Sequence, residues 1–181
     1  MDRRSSVARF TYEVPSLDSY WRAIILFGRN VASYKFALGA ALLELGTGNE
    51  VVTLEDLAIP FARRVASHVR EHDKQGTSGR SRFLDACRAF NRNELDEEAL
   101  RATSVKLGFS NVIDAFHVVD KPMCRSGSSS TSGGLRGGIR LTDQLRTLLV
   151  DGQGDTLTEE VESRWHLVET AWELNRHCCI G

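Results

Sequence analysis

The stretch from Ser19 to Leu45 constrains the fold more than any other. Tyr20, Ile24, Phe27, Val31, Tyr34, Leu38, Leu42 and Leu45 recur at alternating steps of three and four. That spacing puts all of them on one stripe of an α-helix. Ile25, Leu26 and Phe36 lie off the stripe and are apolar too. A helix apolar nearly all round is buried, so the pattern predicts a central helix that other elements wrap. Asp18 or Ser19 is placed to cap it, and Gly46, Gly48 and Asn49 to end it. Arg22, Arg29 and Ser33 fall opposite the main stripe, with Lys35 beside it. Charges on a buried helix must be paired or must snorkel.

The remaining elements follow from caps and breakers. Residues 1–15 read as a flexible lead-in and 176–181 as a tail, with one helical domain over 16–175. Val51 to Thr53 is a short extended piece. Thr53 and Asp56 form an acidic variant of the capping box for a helix reaching about His72. Pro60 falls in its early turns and argues for a start nearer Ile59. A helix with Phe83, Leu84, Cys87 and Phe90 is followed by one capped at Asp96 and running to Leu107. Ser110 is placed to cap the short helix NVIDAF. A β-hairpin is expected over 116–141, with strands at Phe116–Val119 and Gly138–Leu141. Its tip, 120–138, contains the Ser126–Gly134 run and is too poor in apolar groups to order itself. Thr142 opens the helix TDQLRTLL. Thr156 and Glu159 form a further capping box for a last helix with Val161, Trp165, Val168 and Trp172 on one stripe. The fold class is therefore mainly α, a helical domain around a buried central helix, with a hairpin.

Several framework segments carry a family resemblance. ILFGRNVASYKFALGAALLEL, LEDLAIPFARRVASHV, KQGTSGRSRFLDACRAFN, LGFSNVIDAFHVV, IRLTDQL and RWHLVETAWEL together cover most of residues 16–174. They resemble the amino-terminal, non-catalytic region of bacterial HNH endonucleases. In such proteins the nuclease motif follows the segment that RWHLVETAWEL resembles, and this chain stops at Gly181. The resemblance thus implies a DNA-engaging or scaffolding portion, with a divalent metal expected only on a separate nuclease module.

The residues themselves offer few catalytic constellations. There is no P-loop, GxSxG or HExxH motif. His117 and Asp120 lie near an expected strand, but no histidine-bearing helix follows. Cys87, Cys124, Cys178 and Cys179 have no zinc-finger spacing, so reduced thiols and no cofactor are expected. His68 and His72 sit one helical turn apart beside Asp73, and without an evident third ligand they read as a solvent-facing pair.

Charge gives the better lead. The net charge is −1, so no global basic signal exists. Between residues 62 and 92, however, Arg63, Arg64, Arg70, Lys74, Arg80, Arg82, Arg88 and Arg92 face only Glu71, Asp73 and Asp85. Gln75, Thr77 and Ser78 add hydrogen-bond donors in the intervening loop. Phosphate backbones want this mixture of cations and small donors. The order of elements from Arg80 to Leu149 also resembles a winged helix-turn-helix, in which Ser110 and Asn111 would face base edges and Arg125 and Arg136 would touch phosphates from the wing. The expected partner is therefore nucleic acid, DNA in particular, or a nuclease module. The rival reading is a protein-interaction domain without nucleic-acid binding, or a truncated gene product. No run is apolar enough to span a membrane, and no signal core follows the first arginines, so the cytoplasm is the expected compartment.

Overall fold

The computed structural model describes residues 19, 21–23, 25, 32–46, 51–76, 80–109, 112–113, 129–130, 139–141, 143–150 and 154–177. The chain is mainly α-helical. In order, the described elements are α1 (Tyr34–Leu45), β1 (Val51–Val52), α2 (Leu54–Glu71), α3 (Arg82–Asn91), α4 (Glu97–Thr103), a π-helical turn (Ser104–Gly108), β2 (Ser129–Ser130), β3 (Ile139–Leu141), α5 (Asp143–Val150) and α6 (Gly154–His177). Among the described residues, no helix is long and apolar enough to cross a membrane.

The central helix is not continuous. Ala32 forms a β-bridge to Gly76, and α1 begins only at Tyr34. The Ser33 backbone N–H donates to the Gln75 carbonyl at 3.0 Å, and its hydroxyl reaches the same oxygen at 3.3 Å. A donor committed to a distant loop is lost to the i→i−4 ladder, which is why the helix does not run unbroken through Ser33. The expected burial holds for α1: every residue from Lys35 to Leu43 is buried. Its charged neighbours are managed as the sequence requires. Arg22 donates through Nε and Nη2 to the two carboxylate oxygens of Glu160 on α6, at 2.7 and 2.9 Å. Lys35 is buried with Nζ 5.0 Å from the Phe36 ring centroid, and burial, with help from Arg164, pulls its pKa down to about 8.

Helix α2 packs against both α1 and α3. Thr53 caps it as read from the sequence: its Oγ1 accepts from the Asp56 N–H at 3.1 Å and donates to the Asp56 carboxylate at 2.7 Å. Leu57, Phe61, Val65 and Val69 are buried on one face. Pro60 lies inside the helix and does not delay its start. The carbonyl deprived of an N–H belongs to Asp56, an exposed residue, so water can satisfy it. Ser81 and Asp96 cap α3 and α4 through bonds from Leu84 N–H and Ala99 N–H. The helix expected to run to Leu107 leaves the α form at Ser104, whose hydroxyl bonds the Leu100 carbonyl at 2.7 Å. Phe61, Phe83, Phe109 and Tyr34 form an aromatic cluster under this turn.

The three strands pair antiparallel in the order β1–β3–β2. β3 matches the expected return strand. β2 lies inside the Ser126–Gly134 run, where an unstructured tip was expected. The expected strand at Phe116–Val119 lies outside the described residues. Helix α6 begins at Gly154, so Thr156 is inside it rather than at its cap. Val161, Trp165 and Val168 are buried and Trp172 packs against the core, as the stripe predicts. Trp165 therefore serves the interior, and Trp172 lies half-buried at its edge.

Gly46 ends α1 by donating its N–H to the Leu42 carbonyl at 2.9 Å. A Cβ there would press on Leu149 Cδ1 and lie 2.7 Å from the Leu42 oxygen. Backbone cannot yield as a side chain can. Gly46→Ala should accordingly destabilise the chain by about 1–2 kcal/mol in denaturant unfolding. An unchanged midpoint would show that α5 swings away freely.

Candidate functional site

Among the described residues, a concentration of buried polar side chains lies where the carboxy-terminal end of α2 meets α6. His68 and His72 project from α2 one turn apart. Glu162, His166, Glu169 and Glu173 project from α6 at successive steps of four, three and four. Residues so spaced share a helical face. The face lies beside the apolar stripe of Val161, Trp165, Val168 and Trp172, so packing that stripe brings the polar one against α2.

His68 is held on both sides. Its Nδ1 lies 2.8 Å from Glu169 Oε1 and its Nε2 lies 2.9 Å from Glu162 Oε2. Only the imidazolium can donate from both nitrogens. Burial works against that charge, but the bonds to Glu162 and Glu169 outweigh it and raise the pKa to about 9. The same bond from His68 holds the Glu162 carboxyl below its ordinary range. The ring stacks face to face on Trp165, with centroids 3.6 Å apart. The solvent-facing reading therefore fails for His68: it is buried, because α6 covers it.

Glu169 is fully buried. Its Oε1 accepts from Gln75 Nε2 at 2.6 Å as well as from His68. Gln75 is itself fixed, donating to the His72 carbonyl at 2.8 Å and accepting from Trp165 Nε1–H at 3.0 Å. His72 Nδ1 meets Glu173 Oε1 at 2.6 Å, a bond that raises the His72 pKa. Arg64 extends the network outward, donating to Glu162 at 3.0 Å and to Glu44 at 3.1 Å.

In the basic region, Arg63 and Arg64 are paired with carboxylates distant in sequence and Arg88 and Arg92 with nearer ones. Arg63 pairs with Glu97, Arg64 with Glu44 and Glu162, and Arg92 with Glu94. Arg88 bridges Asp73 and Asp85 at 2.7 and 2.8 Å. Gln75 is turned into the core, with 1% of its surface exposed, and its amide is wholly engaged by His72, Glu169 and Trp165. Arg70, Arg80 and Arg82 are exposed and Lys74 is half-buried. Thr77, Ser78, Ser110 and Asn111 lie outside the described residues, as do Arg125 and Arg136. Val112 and Ile113, from the expected reading helix, are buried.

Glu162, His166, Glu169 and Glu173 escaped the sequence reading. Their signal was present as a second stripe within TEEVESRWHLVETAWEL, offset by one residue from the apolar one. Comparison of the chain with family models, with curated proteins and with solved structures finds no match.

Proposed function

We propose that this chain is a nucleic-acid-engaging helical domain of the HNH-type nuclease kind, not catalytic on its own. The observation that supports this reading is the edge where α2 ends and α3 begins. Arg70 in the last turn of α2, Lys74 just after it and Arg82 at the start of α3 make no ion pair among the described residues, whereas Arg63, Arg64, Arg88 and Arg92 are all paired. Arg80 lies exposed beside them. Cations left without a carboxylate partner are those able to exchange water and counterions for phosphate. The edge is narrower than the full basic run of the sequence, so contact with a few phosphates is the natural scale. The segment resemblance to the non-catalytic region of HNH endonucleases supports the same reading.

The test is a salt titration of binding to duplex and single-stranded DNA and RNA. Replacing Arg70, Lys74 and Arg82 together by Ala should weaken binding to all sequences alike. The slope of log affinity against log salt should flatten by up to about three if each touches one phosphate. A chain that binds no nucleic acid at low salt would sink this reading. A second reading, a protein-interaction domain, has its own observation: Leu167 and Leu174 are 61% and 64% exposed on α6, with exposed Ala171 between them. It gains if the titration is blank.

A further inference from the structure

We infer that His72, His166 and Glu169 form a binding site for one divalent transition-metal ion of the zinc class, set between α2 and α6. The argument rests on which ligand atoms the hydrogen bonds leave over. In His72, Nδ1 is taken by Glu173, and Nε2 makes no hydrogen bond among the described residues. In Glu169, Oε1 is taken by His68 and Gln75. Its Oε2 is buried and has no hydrogen-bond partner among the described residues, though the side chain is fully enclosed. A buried carboxylate oxygen left unsatisfied costs free energy, so a natural structure accounts for it. The His166 ring makes no hydrogen bond among the described residues, and the side chain is 51% exposed.

These spare atoms converge. Glu169 Oε2 lies 3.3 Å from His166 Nδ1 and 3.9 Å from His72 Nε2. The three residues offer ligand atoms all within 4.8 Å of one another. In a tetrahedral zinc site with bonds of about 2.0–2.1 Å, ligand atoms stand about 3.4 Å apart. Glu169 Oε2 and His166 Nδ1 already stand at that spacing, and the wider separations, 3.9 Å to His72 Nε2 and up to 4.8 Å within the set, close to it by side-chain rotation, His166 being half exposed. Two imidazoles and one carboxylate suit borderline ions such as zinc or cobalt and not magnesium. The half-exposed His166 leaves a fourth position open to water.

Outer partners are also in place. Glu173 orients His72, and Gln75, braced by Trp165 and the His72 carbonyl, orients Glu169. Ligands positioned by such bonds are typical of built metal sites. The other triad in this cluster, His68, Glu162 and His166, is less suited. Both nitrogens of His68 already carry protons shared with carboxylates, and a metal ligand must be deprotonated.

The experiment is calorimetric titration of the full chain with zinc, and optical titration with cobalt. One ion per chain is expected, with the visible bands of four-coordinate cobalt. Magnesium in excess should not displace it. His166→Ala and His72→Ala should each weaken zinc binding by more than about 100-fold, and Glu173→Gln by about 10–100-fold, the range for an outer partner. His166 is half exposed, so its variant should keep the unfolding transition of the parent chain, which circular dichroism checks. Cys178 and Cys179 replaced by Ser should leave binding unchanged. Absence of zinc binding at micromolar concentration would overturn the inference. So would binding indifferent to His166→Ala and His72→Ala, or binding lost with the two cysteines.

Discussion

Replacing Trp165 by Ala should cost about 3–5 kcal/mol of folding stability, the range for removing a large buried aromatic. Trp165 is fully buried and is the largest such side chain among the described residues. It stacks on Phe36 at 5.9 Å and on His68 at 3.6 Å. It also donates to Gln75, which holds Glu169. The substitution therefore opens a cavity between α1 and α6 and loosens the polar cluster in one step. For a domain of ordinary stability, such a loss consumes much of the margin. Trp165→Phe separates the two effects. It keeps most of the ring but strands Gln75 Oε1, for about 1–3 kcal/mol. Guanidinium unfolding followed by circular dichroism measures both. A Trp165→Ala chain within 1 kcal/mol of the parent would mean that α6 is not integral to the core.

Raising the pH should destabilise the chain in metal-free buffer, and His68 sets the window. Its folded pKa, about 9, lies above the 6.5 of an unperturbed histidine. A group whose pKa rises on folding contributes stability in full below its unfolded value. That contribution is lost as pH climbs through the folded value. The interval from 6.5 to about 9 corresponds to roughly 3 kcal/mol, lost progressively across that range. His72, raised by Glu173, adds a smaller change of the same sign. Glu162 has the opposite sign. Its stabilisation is present above its unfolded value and fades as pH falls through the lowered one, so an acid limb is expected too. The two limbs report one interaction from its two partners and are not summed. Denaturation midpoints taken with a chelator between pH 6 and 10 check this. His68→Gln should flatten the alkaline limb. Stability that rises from pH 7 to 9 would refute the bidentate imidazolium.

Local chemistry in the sequence was enough for several elements. Thr53 with Asp56, and Asp96, cap their helices because a side chain two or three residues from an orphan N–H needs no tertiary help. The stripes Leu57–Phe61–Val65–Val69 and Val161–Trp165–Val168 are buried because periodicity alone decides which residues share a face. What a face meets is another matter. Arg63 and Arg64 in the basic run looked unbalanced because Glu44, Glu97 and Glu162 are distant in the chain. The break at Ala32 and Ser33 exists because Gly76 and Gln75 compete for their backbone groups. His68 and His72 form part of a cluster because α6 crosses α2, bringing in carboxylates 94 to 101 residues further on. Helix propensity, capping and amphipathicity act within a few residues and can be read from the chain. Burial, ion pairing and convergence of ligand atoms depend on contacts between distant segments, and only the packing of α1, α2 and α6 decided them.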